Sequence, residues 1–283
     1  MPELACVNGQ FVPLHQAVIP IEDRGFQFAD GVYEVIGTYG GVLFAMEEHM
    51  RRLQGSLAAL RIPCDIERAG LRALIDRGVR DCGFSEVLVY VQITRGVAPR
   101  HHEFPAPSPT PTVVMTFKEL KRLPQALYDS GVSVVSTGDQ RWQRCDVKSV
   151  SLLANILAKQ EAHERGAFEA LLVNREGLVT EGSSTSAFCM RDGALYTAPL
   201  GPHILPSITR KILLELAGQL AIPIREEFST LAQFKGADEA FLAGTTTEAI
   251  GIVELDGVAV GSGRPGPITR RLRAAFIELA NGH

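Results

Sequence analysis

Five residue–Gly pairs, Asn8-Gly9, Gly40-Gly41, Glu176-Gly177, Asp192-Gly193 and Asp256-Gly257, interrupt short alternating runs of apolar residues. Two-residue hairpin turns need positive backbone φ, which glycine adopts without steric penalty. Several of these pairs therefore predict antiparallel strands, in both halves of the chain. Between them, apolar residues spaced three and four apart predict helices over roughly 47–60, 67–82, 149–165, 208–220 and 267–279. Hairpins mixed with helices give an α+β chain rather than a doubly wound parallel sheet.

A length of 283 residues is near twice that of a usual domain and predicts two of them. The proline-rich stretch 105–111 has a linker's composition, but the strand-like run Thr112-Val113-Val114-Met115-Thr116-Phe117 after it belongs with the first sheet. The boundary is expected near 118–124, giving domains 1–120 and 121–283. A net charge of −4 with no basic run argues against nucleic acid as a partner. No apolar stretch approaches membrane-spanning length, and Met1-Pro2-Glu3-Leu4 has no basic region leading into an apolar one, so a cytoplasmic protein is expected. The cysteines at 6, 64, 82, 145 and 189 form no Cys-x-x-Cys pair, which predicts reduced thiols and no metal cluster.

Lys148 carries the strongest chemical signal. Of six lysines, Lys118, Lys121, Lys159, Lys211 and Lys235 read as solvated, whereas Lys148 opens an apolar run expected to be helical. An amine facing an apolar interior loses its preference for charge, becomes nucleophilic near neutral pH and can form an imine with a carbonyl. The alternative is an ammonium that pairs with Asp146. Glu181 lies 33 residues further on, in an expected turn between strands 170–173 and 187–190. A buried carboxylate there could hold a pyridine nitrogen protonated, or could be a turn residue capped by Ser183 or Ser184.

Phosphate donors are also present. Ser207 is a candidate cap for a helix whose first amides, on Ile208 and Thr209, would face an anion. The run Gly244-Thr245-Thr246-Thr247 offers hydroxyls and amides behind a strand, and Arg52 could add a bidentate clamp. Arg100 and His102 alternate on a segment flanked by prolines. Read as extended, it lets both side chains converge on one anion such as an α-carboxylate, or it is a solvated charged loop.

These stretches together resemble the fold-type IV pyridoxal phosphate enzymes, and most closely their D-amino acid aminotransferase branch. The resemblance is carried in order by residues 22–35, 43–53, 146–149, 180–184 and 244–248. It implies a smaller N-terminal α/β domain, a larger C-terminal pseudo-barrel domain and pyridoxal 5'-phosphate at the domain interface. It also implies that Lys148 is the Schiff-base lysine and proton shuttle, and that Glu181 partners the pyridine nitrogen. Arg52, Ile208, Thr209, Thr245 and Ser184 then contact the cofactor, and Tyr33, Arg100 and His102 trap the substrate carboxylate. In that branch the Arg and His reach a neighbouring subunit's site, so a homodimer is implied. The implied reaction moves the amino group of a D-amino acid such as D-alanine to 2-oxoglutarate, giving a 2-oxo acid and D-glutamate. One departure stands out: the branch usually carries Arg where this chain has Gly37, which bears on side-chain preference.

Branched-chain L-amino acid aminotransferases, (R)-amine transaminases and aminodeoxychorismate lyase share the same core and are the alternatives within the family. A serine hydrolase would need a Gly-x-Ser-x-Gly elbow, which the chain lacks. A binding protein on the same fold would be expected to have lost Lys148.

Overall fold

The computed structural model describes residues 3–282. Met1, Pro2 and His283 lie outside the described residues, and with them the first two positions of the segment read for a leader. Two compact units divide the chain: Met1–Lys121 with Val147–Ser151, and Arg122–Asp146 with Leu152–His283.

The first unit opens with a hairpin of β1 (Leu4–Val7) and β2 (Gln10–Pro13), whose turn residues Asn8 and Gly9 have φ of 49° and 83°. Then come α1 (Arg24–Phe28), β3 (Gly31–Tyr39), β4 (Val42–Leu43), α2 (Met46–Ala59), α3 (Leu71–Asp81), β5 (Val87–Thr94) and β6 (Thr112–Glu119). The sheet order is β2-β1-β6-β5-β3-β4, and every neighbouring pair is antiparallel. Strict alternation builds the core: Val87, Val89, Val91 and Ile93 of β5 are buried and meet Leu53 and Leu57 of α2 and Leu71 and Ile75 of α3. Each such side chain contributes roughly 1.5–3 kcal/mol. Gly78 sits in the middle of α3, at a helix-propensity cost of about 1 kcal/mol, because a Cβ there would lie 2.0 Å from the Phe117 ring.

Residues 147–151 belong to this unit, although the sequence reading put them in the C-terminal domain and at the start of a helix. The physical reason is pairing. Ser149 bridges Val32 antiparallel, the Val150 amide donates to Gly31, and Val147 is buried in the first core. Extended backbone serves those partners, and the helix begins only at Leu153.

The second unit runs α4 (Gln125–Ser130), β7 (Val132–Gly138), α5 (Leu153–Glu164), β8 (Glu169–Val173), β9 (Leu178–Gly182), β10 (Ser186–Arg191), β11 (Ala194–Thr197) and α6 (Ile208–Gln219). It continues through β12 (Ile224–Glu226), β13 (Ser229–Thr230), α7 (Leu231–Lys235), β14 (Glu239–Gly244), β15 (Glu248–Leu255), β16 (Val258–Ala259) and α8 (Pro267–Ala280). Its ten strands form one sheet, ordered β12-β11-β10-β14-β15-β7-β8-β9-β13 with β16 on β15, curled as an incomplete barrel. The Asp192-Gly193 and Asp256-Gly257 pairs turn β10 into β11 and β15 into β16, with φ of 51° and 75°, and 51° and 76°. Parallel pairs also occur: α5 lies between β7 and β8, and α6 between β11 and β12, and each helix supplies the crossover that parallel neighbours require. The protein is thus α+β, with two βαβ units inside a mainly antiparallel sheet.

Candidate active site

In the first unit, Lys148 is held by its backbone. Its carbonyl accepts from the Tyr33 amide at 3.0 Å and its amide donates to Ser56 Oγ at 3.3 Å. The half-buried side chain places Nζ 4.2 Å from the centroid of the Tyr33 ring, which is stacked on Tyr90. Asp146, the alternative partner for the lysine, takes the Arg144 guanidinium at 2.9 and 3.0 Å. Lys148 therefore projects from an extended strand-like segment against β3, not from the helix start the sequence suggested.

Arg52, on α2, grips Glu34 on β3, with Nε to Oε1 at 2.7 Å and Nη2 to Oε2 at 2.8 Å. His49 Nδ1 reaches the same carboxylate at 2.7 Å. Burial opposes ionisation of Glu34, but the hydrogen bonds from Arg52 and His49 outweigh it and hold the carboxyl at about 2. Burial also drives His49 down, favouring the neutral imidazole. The bidentate pair with Glu34 fixes the plane of the Arg52 guanidinium.

Arg100 and His102 are exposed on an irregular connection between β5 and β6 that bends at 100 and 102–103. The simple alternation of an extended chain does not describe it. Their common neighbour is Phe28: the Arg100 guanidinium lies 4.7 Å from its ring centroid, and the His102 ring meets it edge-on at 5.6 Å.

In the second unit, Glu181 belongs to strand β9, which pairs with β8, and not to a turn. The hairpin around Glu176-Gly177 leads from β8 into this strand. The Glu181 carboxylate is buried and paired with Arg141 through Oε1, while the Leu205 amide approaches both oxygens at 3.3 Å. Burial pushes Glu181 up from the ordinary carboxylate range against the pull of Arg141. Arg141 is fixed in turn by Asp139 at 2.8 Å and by the His203 carbonyl at 3.0 Å. Cys145 nearby is a buried thiol raised to about 11, chiefly by burial.

Ser183 and Ser184 do not cap a turn at Glu181. Both hydroxyls donate to the buried Glu169, Ser184 at 2.9 Å, and Thr185 joins them at 3.3 Å. Ser207 does cap α6, accepting from the Arg210 amide at 3.2 Å, so Ile208 and Thr209 occupy the first helical turn. Thr245 lies in the tight connection between β14 and β15, where the Thr247 amide donates to Gly244 at 3.2 Å. Glu248, which ends that connection at φ 55°, is clamped by Arg273 at 3.0 and 2.9 Å.

Composition offered no signal for Arg141, Glu169, Glu34, His49 or Phe28, because each acts through a partner distant in sequence. Another sequence feature carries less than its spacing suggests. Gly261-Ser262-Gly263-Arg264-Pro265-Gly266 precedes α8 with the glycine spacing of a dinucleotide turn. The anion position at that helix start is already filled by Glu239, whose carboxylate accepts from the Ile268 and Thr269 amides at 3.0 and 2.9 Å.

A lysine fixed against an aromatic strand, a buried carboxylate and a capped helix start with a threonine-rich turn are the parts expected of a fold-type IV enzyme. Residues 31–255 match the family Amino-transferase class IV, and the chain belongs to that family. The D-alanine aminotransferase of Bacillus licheniformis is 40% identical over 273 residues, covering 95% of this chain and 94% of that protein. That of Staphylococcus haemolyticus is 37% identical over 270 residues, covering 95% of each. Among solved structures, the branched-chain aminotransferase of the thermophilic archaeon Thermoproteus uzoniensis with norvaline is 28% identical with a TM-score of 0.87, covering 99% of this chain and 95% of its own. The branched-chain amino acid aminotransferase from Thermobaculum terrenum in its PLP form is 26% identical with a TM-score of 0.84, covering 99% of this chain and 94% of its own.

Proposed function

We propose that the protein binds pyridoxal 5'-phosphate and moves the amino group of a D-amino acid, such as D-alanine, to 2-oxoglutarate, yielding a 2-oxo acid and D-glutamate. What carries this reading is the identity of 37–40% to D-alanine aminotransferases over nearly the whole chain, against 26–28% to the structurally similar branched-chain enzymes. Transamination of a branched-chain L-amino acid is the second reading, supported by those structural neighbours.

The donor set fits the cofactor. One oxygen of the buried Glu181 pairs with Arg141, and the other, which among the described residues takes the 3.3 Å approach of the Leu205 amide, can accept from a protonated ring nitrogen. When bound, pyridoxal phosphate supplies an aldehyde that condenses with amines and a ring that takes up negative charge from a substrate α-carbon. Lys148 Nζ would be the amine that holds it, and the same amine is placed to act as the base that takes the substrate α-proton and returns it. Glu181 would keep the proton on the ring nitrogen, and Arg141 favours its carboxylate form against the burial that pushes it up. The amides of Ile208 and Thr209 at the start of α6, the hydroxyl of Thr245, and Arg52 fixed by Glu34 are the proposed phosphate contacts, and Ser184 is a further proposed cofactor contact. Tyr33, Arg100 and His102 are the proposed carboxylate grip. The side on which that carboxylate is held decides the enantiomer, since one lysine serves one face.

A homodimer, with Arg100 and His102 serving the neighbouring site, agrees with the exposed apolar side chains Val18, Ile21 and Phe26 of the first unit and Leu153, Ile156 and Leu157 on α5. The cytoplasm is the proposed compartment, in keeping with cysteines that are all thiols. Among the described residues no helix is long and apolar enough to cross a membrane.

The deciding experiment is half-reaction spectroscopy with matched D and L forms of alanine, leucine and glutamate, together with a simple chiral amine. D-Alanine and D-glutamate should bleach the visible absorbance of the purified protein while the L forms leave it intact. Bleaching by L-leucine alone would transfer the assignment to the branched-chain reading.

A further inference from the structure

We propose that Phe28 is the positioning residue for Arg100 and His102, presenting both side chains to the substrate carboxylate from one aromatic platform. The proposal deepens the reading above and rests on its assignment of those two residues.

Arg100 and His102 sit on a connection without regular hydrogen bonding, and both are exposed. A long exposed guanidinium loses rotamer freedom when it grips an anion, and contacts made beforehand reduce that loss. Phe28 provides such contacts to both residues at once, 4.7 Å from the Arg100 guanidinium to the ring centroid and 5.6 Å between the ring centroids of Phe28 and His102, at an interplanar angle of 65°. A cation–π contact at that distance restrains the guanidinium without using its N–H donors, which a carboxylate can then engage.

The platform is itself anchored. Phe28 ends α1, where Asp23 accepts from the Gly25 amide at 2.8 Å and from Thr94 Oγ1 at 3.0 Å. A Cβ on Gly25 would lie 2.2 Å from Thr94, so only glycine allows α1 to press on the end of β5. One turn back from Phe28 on the same helix face, the buried Arg24 lies 4.9 Å from the ring centroid. Its Nη1 donates to the His101 carbonyl at 2.6 Å, and its Nε pairs with Asp30 at 2.8 Å. Asp30 also holds Arg95, through contacts of 2.8 and 2.9 Å. The segment bearing Arg100 and His102 is thus fixed by its backbone through Arg24 and by its side chains through Phe28.

The test compares Phe28→Leu, Phe28→Tyr, Arg100→Ala and the double variant Phe28→Leu/Arg100→Ala. Phe28→Leu should raise the KM for D-alanine about fivefold, the scale of one exposed cation–π contact, with kcat and cofactor affinity changed by less than about twofold. Phe28→Tyr retains the ring and should restore the KM. In the double variant the Phe28 change should add little to Arg100→Ala, because it acts through that residue. Hydrogen exchange in the purified protein should quicken across 100–104 in Phe28→Leu and not in Phe28→Tyr. If Arg100→Ala raises KM while Phe28→Leu does not, or if the two effects simply add, the platform is overturned and the carboxylate assignment stands. If Arg100→Ala leaves KM unchanged, the carboxylate assignment falls and takes the platform's role with it. Should Phe28→Leu fail to fold, Arg100→Lys probes the same contact from the other side, and a wild-type KM there would overturn the proposal.

Discussion

Arg52 and Glu34 form a bidentate ion pair, 2.7 and 2.8 Å across its two contacts, on a carboxylate that is wholly buried. The two residues belong to different elements, α2 and β3, and His49 closes the group from one turn before Arg52. The same contact that ties helix to sheet also orients the guanidinium proposed to meet a phosphate. Structural and functional demands thus fall on one carboxylate.

Acid should loosen this group. Glu34 is held at about 2 against an ordinary 4.5, so its contribution is complete above about 4.5 and is lost as pH falls toward 2. The full difference is on the order of 3 kcal/mol. His49, pushed down by burial, adds a loss of the same sign as pH falls below its ordinary 6.5. Urea unfolding of wild type and Glu34→Gln should therefore show a gap in stability near pH 6 that narrows markedly by pH 3. A gap independent of pH would refute the ionic account. Glu34→Gln should also weaken cofactor binding, read by titrating the apoprotein, if Arg52 is a phosphate contact.

Lys148→Ala should remove the borohydride-sensitive visible absorbance and reduce turnover by several orders of magnitude. The fold should survive, because the contacts that place residue 148 are made by its backbone carbonyl and amide. Steady-state activity near wild type would defeat the assignment of the lysine.

Glu181 and Arg141 make a pair of predictions with opposite signatures. Glu181→Gln keeps the shape but cannot hold a ring proton, so the α-proton step should slow at least tenfold while the cofactor remains bound. Arg141→Met leaves the buried Glu181 and the half-buried Asp139 without their shared cation, and breaking a buried pair in this way costs roughly 3–5 kcal/mol. Chemical denaturation should show that loss. Substrate isotope effects on the deuterated α-carbon should grow in Glu181→Gln, and an unchanged rate would remove its role.

The parts of this fold that were legible in the sequence are those decided locally. All five residue–Gly pairs lie in strand-to-strand connections, and in four of them, all but Glu176-Gly177, both residues carry the positive φ. Helix α6 begins after the cap Ser207, because the signal and the amides it serves are three residues apart. What was illegible depends on distant partners. Residues 147–151 read as helix by their own pattern and are extended because β3 offers them hydrogen bonds. The parallel pairing of β7 with β8 joins strands some thirty residues apart, and the hairpin signal at Glu176-Gly177 marks only the pairing of β8 with β9. Arg52 was visible as an anion ligand, but Glu34 as its mate was not, since nothing near residue 34 marks a carboxylate that will be buried.

Glu169 offers a test of how the turn after Glu181 keeps its shape. The carboxylate is buried and collects the hydroxyls of Ser183, Ser184 and Thr185, while Lys159 approaches from the surface at 3.4 Å. Gly182 contributes to the tightness, for a Cβ there would lie 2.1 Å from Thr185 Oγ1. Glu169→Ala deprives three hydroxyls of their acceptor, two of them on the buried Ser183 and Thr185, and since each unsatisfied buried group costs about 1–3 kcal/mol, a loss of a few kcal/mol is expected unless water enters. Glu169→Gln retains one carbonyl acceptor and should lose less. Ser184 is a proposed cofactor contact on this turn, so both changes should weaken cofactor affinity in the same order as they lower stability, measured by apoprotein titration beside urea unfolding. A Glu169→Ala protein that unfolds at lower urea yet binds cofactor as tightly as wild type would detach Ser184 from the cofactor site and leave Glu169 a purely structural post.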